Sequence, residues 1–247
     1  MFYQITFSPT GGTKRSADLL SDVWKEKTEI DLMDRKGDFA KNFAEEDICL
    51  VAVPSFAGRV PATATERLRQ MQGNGAKAIA VVVYGNRAYE DTLVELEDTL
   101  KEGGFQVIGG AAVVAEHSIF REYAAGRPDE NDALQLKEWS VRLKEKAELG
   151  GEVSFPGNRP YKPYGAIPMV PRAETCQNCG KCASRCPVGA IPAADPRETD
   201  AEKCIVCMAC VAECPIQARK VDPKIRAGAK SRLQAALEGR KENELFL

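Results

Sequence analysis

The sequence predicts an α/β chain in two parts, a doubly wound parallel sheet over residues 1–150 and a small metal-built domain over residues 174–222. Three observations predict it. Apolar runs alternate with amphipathic stretches over the first part. Composition breaks after Leu149 into a segment rich in proline and glycine. Eight of the nine cysteines then crowd between Cys176 and Cys214.

The elements follow in order. Strands are expected at Phe2–Phe7, Glu29–Met33, Ile48–Val53, Ala78–Tyr84 and Gln106–Ala115. The third and fourth are nearly unbroken in Ile, Val, Leu and Ala, the pattern of strands covered on both faces. Helices are expected at Thr13–Lys25, Pro61–Met71, Ala88–Glu102 and Asn131–Leu149. Right-handed crossovers would place them on both faces of the sheet. In the third helix Leu93, Val94, Leu96 and Leu100 share one side. The acids Glu90, Asp91, Glu95, Glu97 and Asp98 read as its solvated face.

Residues 151–173 read as a linker carrying Pro156, Pro160, Pro163, Pro168 and Pro171, stiffened by proline. Tyr161 and Tyr164 suggest that it lies against another surface rather than free in solvent. Residues 223–247 read as a helical tail, with Leu233, Ala236 and Leu237 available to dock Ala229–Gly239.

Bulk properties exclude several classes. A hydrophobic share of 44% supports a real core, and a net charge of -2 gives no field for nucleic acid. No apolar run reaches the roughly 18 residues of a membrane span. The first residues lack the features of an export signal, so the cytoplasm is the expected compartment. Crowded cysteines in such a chain point to metal rather than disulfides.

The motif Cys176-Gln-Asn-Cys179-Gly-Lys-Cys182-Ala-Ser-Arg-Cys186-Pro187 returns as Cys204-Ile-Val-Cys207-Met-Ala-Cys210-Val-Ala-Glu-Cys214-Pro215. Three closely spaced thiolates wrap three corners of a cubane, and the fourth ligand must come from elsewhere. Zinc ribbons use two separated cysteine pairs and leave the third cysteine without a role. Disulfides would span turns too short for their geometry. In the spacing C-x2-C-x2-C-x3-C-P the fourth cysteine serves the other cluster. Applied here, one [4Fe–4S] cluster takes Cys176, Cys179, Cys182 and Cys214, and the second takes Cys204, Cys207, Cys210 and Cys186. The segment from Glu174 to Val221 resembles the 2[4Fe–4S] ferredoxins of bacterial type. Pro187 and Pro215 would shape turns, while Gly180, Ala183 and Ala209 would let backbone N–H groups approach sulfur.

The first strand leads into Ser8-Pro9-Thr10-Gly11-Gly12-Thr13, which opens a helix. The hydroxyls of Ser8, Thr10 and Thr13, the open backbone at Gly11 and Gly12, and the helix dipole suit a phosphate. Lys14 and Arg15 sit just inside that helix. An ordinary Ser/Thr-capped turn is the competing reading. The loop after the third strand is Pro54-Ser55-Phe56-Ala57-Gly58-Arg59, and that after the fourth is Tyr84-Gly85-Asn86-Arg87-Ala88-Tyr89. The first 150 residues resemble flavodoxins, with Gly12 where their phosphate loop carries Asn. That resemblance implies a five-stranded sheet of order 2-1-3-4-5 and a bound FMN. Phe56 and either Tyr84 or Tyr89 would lie near the isoalloxazine. Arg59 and Arg87 stand where flavodoxins are acidic, and free cations there would favour the anionic reduced flavin. The alternative is that both arginines face solvent or pair with Asp91 or Glu90.

The whole chain resembles a family of flavodoxin–ferredoxin fusions from anaerobic prokaryotes, in the runs Pro160-Tyr161-Lys162-Pro163-Tyr164-Gly165 and Tyr84-Gly85-Asn86-Arg87. It implies electron transfer between the clusters and FMN, serving redox partner proteins. The alternative is an FMN-dependent reductase of a small-molecule acceptor, with Glu116, His117 and Ile119–Tyr123 over the flavin. A redox-sensing regulator is disfavoured by the lack of a basic DNA-binding module. Cys49 reads as a core residue. The single histidine, His117, reads as a loop cap or as a proton donor.

Overall fold

The computed structural model describes residues 1–165 and 169–247, so Pro168 of the linker lies outside the described residues. In chain order the first part contains β1 (Phe2–Thr6), α1 (Gly12–Leu20), β2 (Thr28–Asp31), β3 (Ile48–Pro54), α2 (Ala62–Leu68), β4 (Lys77–Tyr84), α3 (Thr92–Glu102), β5 (Gln106–Val114) and α4 (Glu130–Leu149). The second part contains β6 (Arg172–Ala173), α5 (Lys181–Arg185), α6 (Ala209–Ala212), β7 (Arg219–Lys220), α7 (Pro223–Leu237) and β8 (Glu244–Phe246).

The sheet runs β2-β1-β3-β4-β5-β8. The first five strands are parallel in the expected order, with pairs such as Ile5↔Val51 and Val51↔Ala80 setting the register. Their side chains alternate between two apolar layers. Leu50, Ile79, Val81 and Val113 pack under α1 and α4. Val51, Ala80, Val82 and Val114 pack under α2 and α3. Each such buried aliphatic side chain contributes about 1.5–3 kcal/mol. Cys49 belongs to this core, fully buried, and burial pushes its thiol well up.

Two features of the fold depart from expectation. The tail is not purely helical, because after α7 it adds β8 antiparallel to β5, with Gly110↔Phe246 and Ala111↔Leu245 paired. This covers an edge that would otherwise expose unpaired N–H and C=O groups. Gly110 is required there, since a Cβ would stand 2.4 Å from the Ala80 carbonyl and 2.9 Å from the Phe155 ring. In α7, Ala229 and Leu237 dock as buried residues, whereas Ala236 is exposed.

The second departure concerns α3. Its acidic side is not solvated, because Asp91, Glu95 and Glu97 are all buried. The linker lies along it. Asp91 accepts the backbone N–H groups of Asn158 at 2.8 Å and Lys162 at 2.7 Å. Arg159 grips Asp98 at 2.6 and 2.8 Å, and Tyr161 donates its hydroxyl proton to the same carboxylate. With its carboxylate spent on the linker, Asp91 does not cap the helix with its side chain, and α3 starts at Thr92 rather than Ala88.

Candidate functional site

The two cysteine motifs fold alike. Asn178 and Val206 take positive φ at equivalent places, as do Gly180 (φ 72°) and Met208 (φ 63°). The left-handed residue turns each loop back so that a short helix, α5 or α6, can start behind it. Around the loops lie two recesses. One is lined by Cys176, Cys179, Cys182 and Cys214. The other is lined by Cys186, Cys204, Cys207 and Cys210. In each, three cysteines come from one motif and the fourth from the other copy.

Backbone donors converge on these thiols. Asn178 N–H points at Cys176 Sγ at 3.3 Å, Ala190 N–H at Cys186 Sγ at 3.2 Å, and Ala218 N–H at Cys214 Sγ at 3.2 Å. The N–H of Ala209 points at Cys207. Donors aimed at sulfur favour thiolates, and the donor set therefore fits iron–sulfur ligation. Among the described residues no three Cys, His, Asp or Glu side chains gather as on a single metal ion; the thiols ring a space instead.

The surroundings of the two recesses differ. Cys179 is exposed at the rim of the first. Cys207 is buried in the second, and with Ala209 it joins the apolar core of the sheet domain, against which Ile205, Phe56 and Tyr89 also pack. Arg67 of α2 is buried between the parts, donating to the carbonyls of Leu32 and, at 2.7 Å, Pro187. The second recess thus abuts the C-terminal edge of the parallel strands, where doubly wound sheets hold ligands.

The loop after β1 lies beside the same domain. Ser8, Thr10 and Gly11 line an open recess with the end of β2, Arg185 of α5, and Ala212 and Glu213. Ser8 Oγ accepts from Lys14 N–H at 2.9 Å, while Gly11 at the start of α1 offers no side-chain cap. Thr13 is buried, and Gly12 packs so tightly on Ala115 that a Cβ would meet it at 3.3 Å. Lys14 lines the same recess and pairs with Asp18 and Glu29, while Arg15 donates to the carbonyls of Gly126 and Pro128. A second cation at the recess is Arg185, which pairs with Asp31 at 2.8 Å and lies 3.4 Å from the Ser8 carbonyl. Ser8 thus caps one N–H of the first turn, and the other N–H groups there, with the hydroxyls and this guanidinium, fit a phosphate.

The loops after β3 and β4 are committed differently. Arg59 makes a bidentate pair with Glu95 at 2.7 and 2.8 Å, donates to the Lys162 carbonyl and lies over the rings of Tyr161 and Tyr164. Arg87 pairs with Glu90 at 2.9 Å. The expectation of free cations in these loops is therefore corrected: each has a carboxylate partner, and Arg59 is a clamp for the linker. Ser55 Oγ bonds Thr92 Oγ1, Ala57 is exposed, and Gly58 is covered by Glu90. Pro54 ends β3, and Gly85 packs on His117. Asn86 donates to the carbonyls of Leu237 and Gly239, Tyr84 to that of Glu242, and Tyr89 to the Glu244 carboxylate. The loop after β4 thus fastens the tail. Of the aromatic residues expected near a flavin, Phe56 alone makes no contact with that tail among the described hydrogen bonds, and it packs against the apolar core that Cys207 joins.

The segment expected over a flavin is roofed by α7. Phe120 is fully buried with Met169, Ala229 and Leu237. Glu116 pairs with Arg121. His117 Nδ1 accepts the N–H groups of Ile119 and Phe120 at 3.1 and 3.2 Å, which makes it a loop cap. Burial, aided by the charge of Arg87, pushes its pKa down to about 4.

Sequence reasoning missed Arg185 and Arg219. Both lie within or next to the cysteine motifs, yet their partners are remote in sequence, and no local pattern announces them.

No curated protein matches the sequence. Among solved structures, the sheet domain is similar to a Streptococcus pneumonia TIGR4 flavodoxin, with 21% identity over 59% of this chain and 99% of that one and a TM-score of 0.42. A Bacillus cereus flavodoxin 1 is 18% identical over 58% of this chain and 97% of that one, with a TM-score of 0.42. A rubredoxin oxygen:oxidoreductase from Desulfovibrio gigas is 12% identical over 60% of this chain and 36% of that one, with a TM-score of 0.44. Residues 168–215 match the family of 4Fe-4S dicluster domains. The chain thus joins a doubly wound sheet of order β2-β1-β3-β4-β5 to a segment that matches the family of 4Fe-4S dicluster domains.

Proposed function

We propose that this chain is an electron carrier holding two [4Fe–4S] clusters and one FMN. One cluster takes Cys176, Cys179, Cys182 and Cys214, and the other takes Cys186, Cys204, Cys207 and Cys210. The observation that carries the reading is the sorting of eight thiols into two recesses of four, each completed by the other motif. The clusters supply one-electron chemistry, and FMN supplies a two-electron store.

The chain's own residues set the rest. Ser8, Thr10, Gly11, Gly12 and Thr13, helped by Arg185, would hold the FMN phosphate. Exposed Cys179 makes the first cluster the contact for external redox partner proteins. Buried Cys207, packed on the sheet core, makes the second cluster the inner relay. Pro187 and the carbonyl it gives to Arg67 hold the two parts together. No helix among the described residues is long and apolar enough to cross a membrane.

The test is anaerobic purification with iron, sulfide and flavin analysis. About eight iron and one FMN per chain are expected from two four-iron clusters and one flavin site. Zinc in place of iron would overturn the cluster assignment, and absence of bound flavin after incubation with FMN would overturn the second half.

A further inference from the structure

Arg219 opens β7 and is only 2% exposed, the bulkiest side chain so deeply buried among the described residues. Its guanidinium donates to the carbonyls of Pro196 and Pro171 and to the Thr199 hydroxyl. All three acceptors are neutral. Among the described residues no carboxylate pairs with it, and its Nε has no hydrogen-bond partner.

A buried cation without counter-charge is strongly unfavourable, and one of its donors is idle as well. The negative charge that answers it must come from what surrounds it. Arg219 lines the recess of Cys176, Cys179, Cys182 and Cys214. Two of its acceptors, Pro171 and Thr199, line the other recess beside Cys186, Cys204, Cys207 and Cys210. It stands between the two ligand sets and belongs to neither. Four thiolates outweigh the charge of a cubane core, and each electron added makes that site one charge more negative.

Resting on the two-cluster reading, we propose that Arg219 is a positioning residue shared by both clusters, whose fixed cation stabilises their reduced forms and raises their reduction potentials. A guanidinium suits this role because it stays charged at any working pH. Its three neutral ties hold the cation in place without neutralising it. Placed between two sites, it also offsets part of the repulsion when both clusters are reduced.

The experiment uses the full chain, purified anaerobically as wild type, Arg219→Gln and Arg219→Lys. Iron and sulfide are counted, and the potentials are read by EPR during titration with dithionite as the one-electron reductant. The Gln variant is expected to keep about eight iron while its one-electron reduction constant falls at least about tenfold, a shift of about 59 mV to more negative potential. The Lys variant should stay closer to wild type because it retains the charge. Loss of clusters in the Gln variant with retention in the Lys variant also supports the role of charge. A fully loaded Gln variant with unchanged potentials would overturn the inference, as would equal shifts, or equal cluster loss, in both variants. A wild-type chain without two clusters would instead bring down the reading beneath it.

Discussion

Cys186 and Cys214 are the residues on which the cluster assignment turns, since each sits in the recess of the other motif. Crossed ligation has a consequence that local ligation lacks. Cys179→Ala combined with Cys214→Ala damages one site and should leave about four iron. Cys179→Ala combined with Cys186→Ala damages both and should leave no intact cluster. Iron and sulfide analysis checks this, and the reverse pattern would show that each motif keeps its own fourth cysteine. His117 carries a second prediction at this scale. Its folded pKa of about 4 lies below the unfolded value near 6.5. Its contribution to stability is thus complete above pH 6.5 and is lost as pH falls towards 4, about 3 kcal/mol at most. As the only histidine, it gives one imidazole signal set by NMR, which should stay flat from about pH 8 to about pH 5.5. A midpoint near 6.5 would contradict the buried, neutral cap. The cysteines were legible in the sequence because the loop chemistry is local and repeats at equal spacing. Arg219 was not, because what singles it out is the absence of a carboxylate in three dimensions.

Among the elements, β3 and β4 were legible because burial on both faces demands nearly unbroken apolar runs, whereas the largely exposed β2 shows no such run. The acidic side of α3 was misread for an equally physical reason. A charged stripe looks the same in sequence whether water or another segment covers it, and here the segment 158–162 covers it. The misreading sharpens a prediction. Asp91→Ala strips the acceptor from two backbone N–H groups and should cost about 1–3 kcal/mol. Its linker should be cut faster by protease while the sheet persists. Unchanged cleavage and unchanged urea midpoint would mean that the linker is held elsewhere. The strand β8 escaped notice because Glu244–Phe246 is too short for a periodic signal. Its position is set by side chains outside it. Asn243 accepts from Val114 N–H at 2.9 Å and donates to Asp132, which Arg127 and Arg240 also hold. Burial opposes the Asp132 charge, but these partners, Arg127 foremost, hold its pKa down to about 2. The carboxylate thus keeps its charge down through the usual Asp range, and its contribution to fastening the tail is lost only as pH falls from about 4 towards 2. Asn243→Ala should cost about 1–3 kcal/mol and expose the last residues to hydrogen exchange, and exchange unchanged from wild type would count against this anchoring.

At the scale of the whole molecule, the two parts meet through cations of one part set on carbonyls and carboxylates of the other. Arg67 reaches from α2 to Pro187, and Arg185 reaches from α5 to Asp31 and Ser8. The second contact has a functional side that the first lacks. It places a guanidinium of the cysteine domain at the loop whose hydroxyls and helix N-terminus suit a phosphate, so the proposed phosphate site would be complete only when both parts are docked. Arg185→Ala should therefore weaken FMN binding by about tenfold, roughly 1.4 kcal/mol, with iron content unchanged. Riboflavin, which lacks the phosphate, should bind the variant and the wild type alike. Fluorescence quenching of both flavins measures the two affinities in the same preparation. Equal losses for FMN and riboflavin would mean that Arg185 acts by holding the domains together. No loss for either would place the phosphate away from the loop after β1. A loss confined to FMN would tie flavin binding to the docking of the cluster domain, and the distance over which electrons must pass would then be set by the same contact that holds the cofactor.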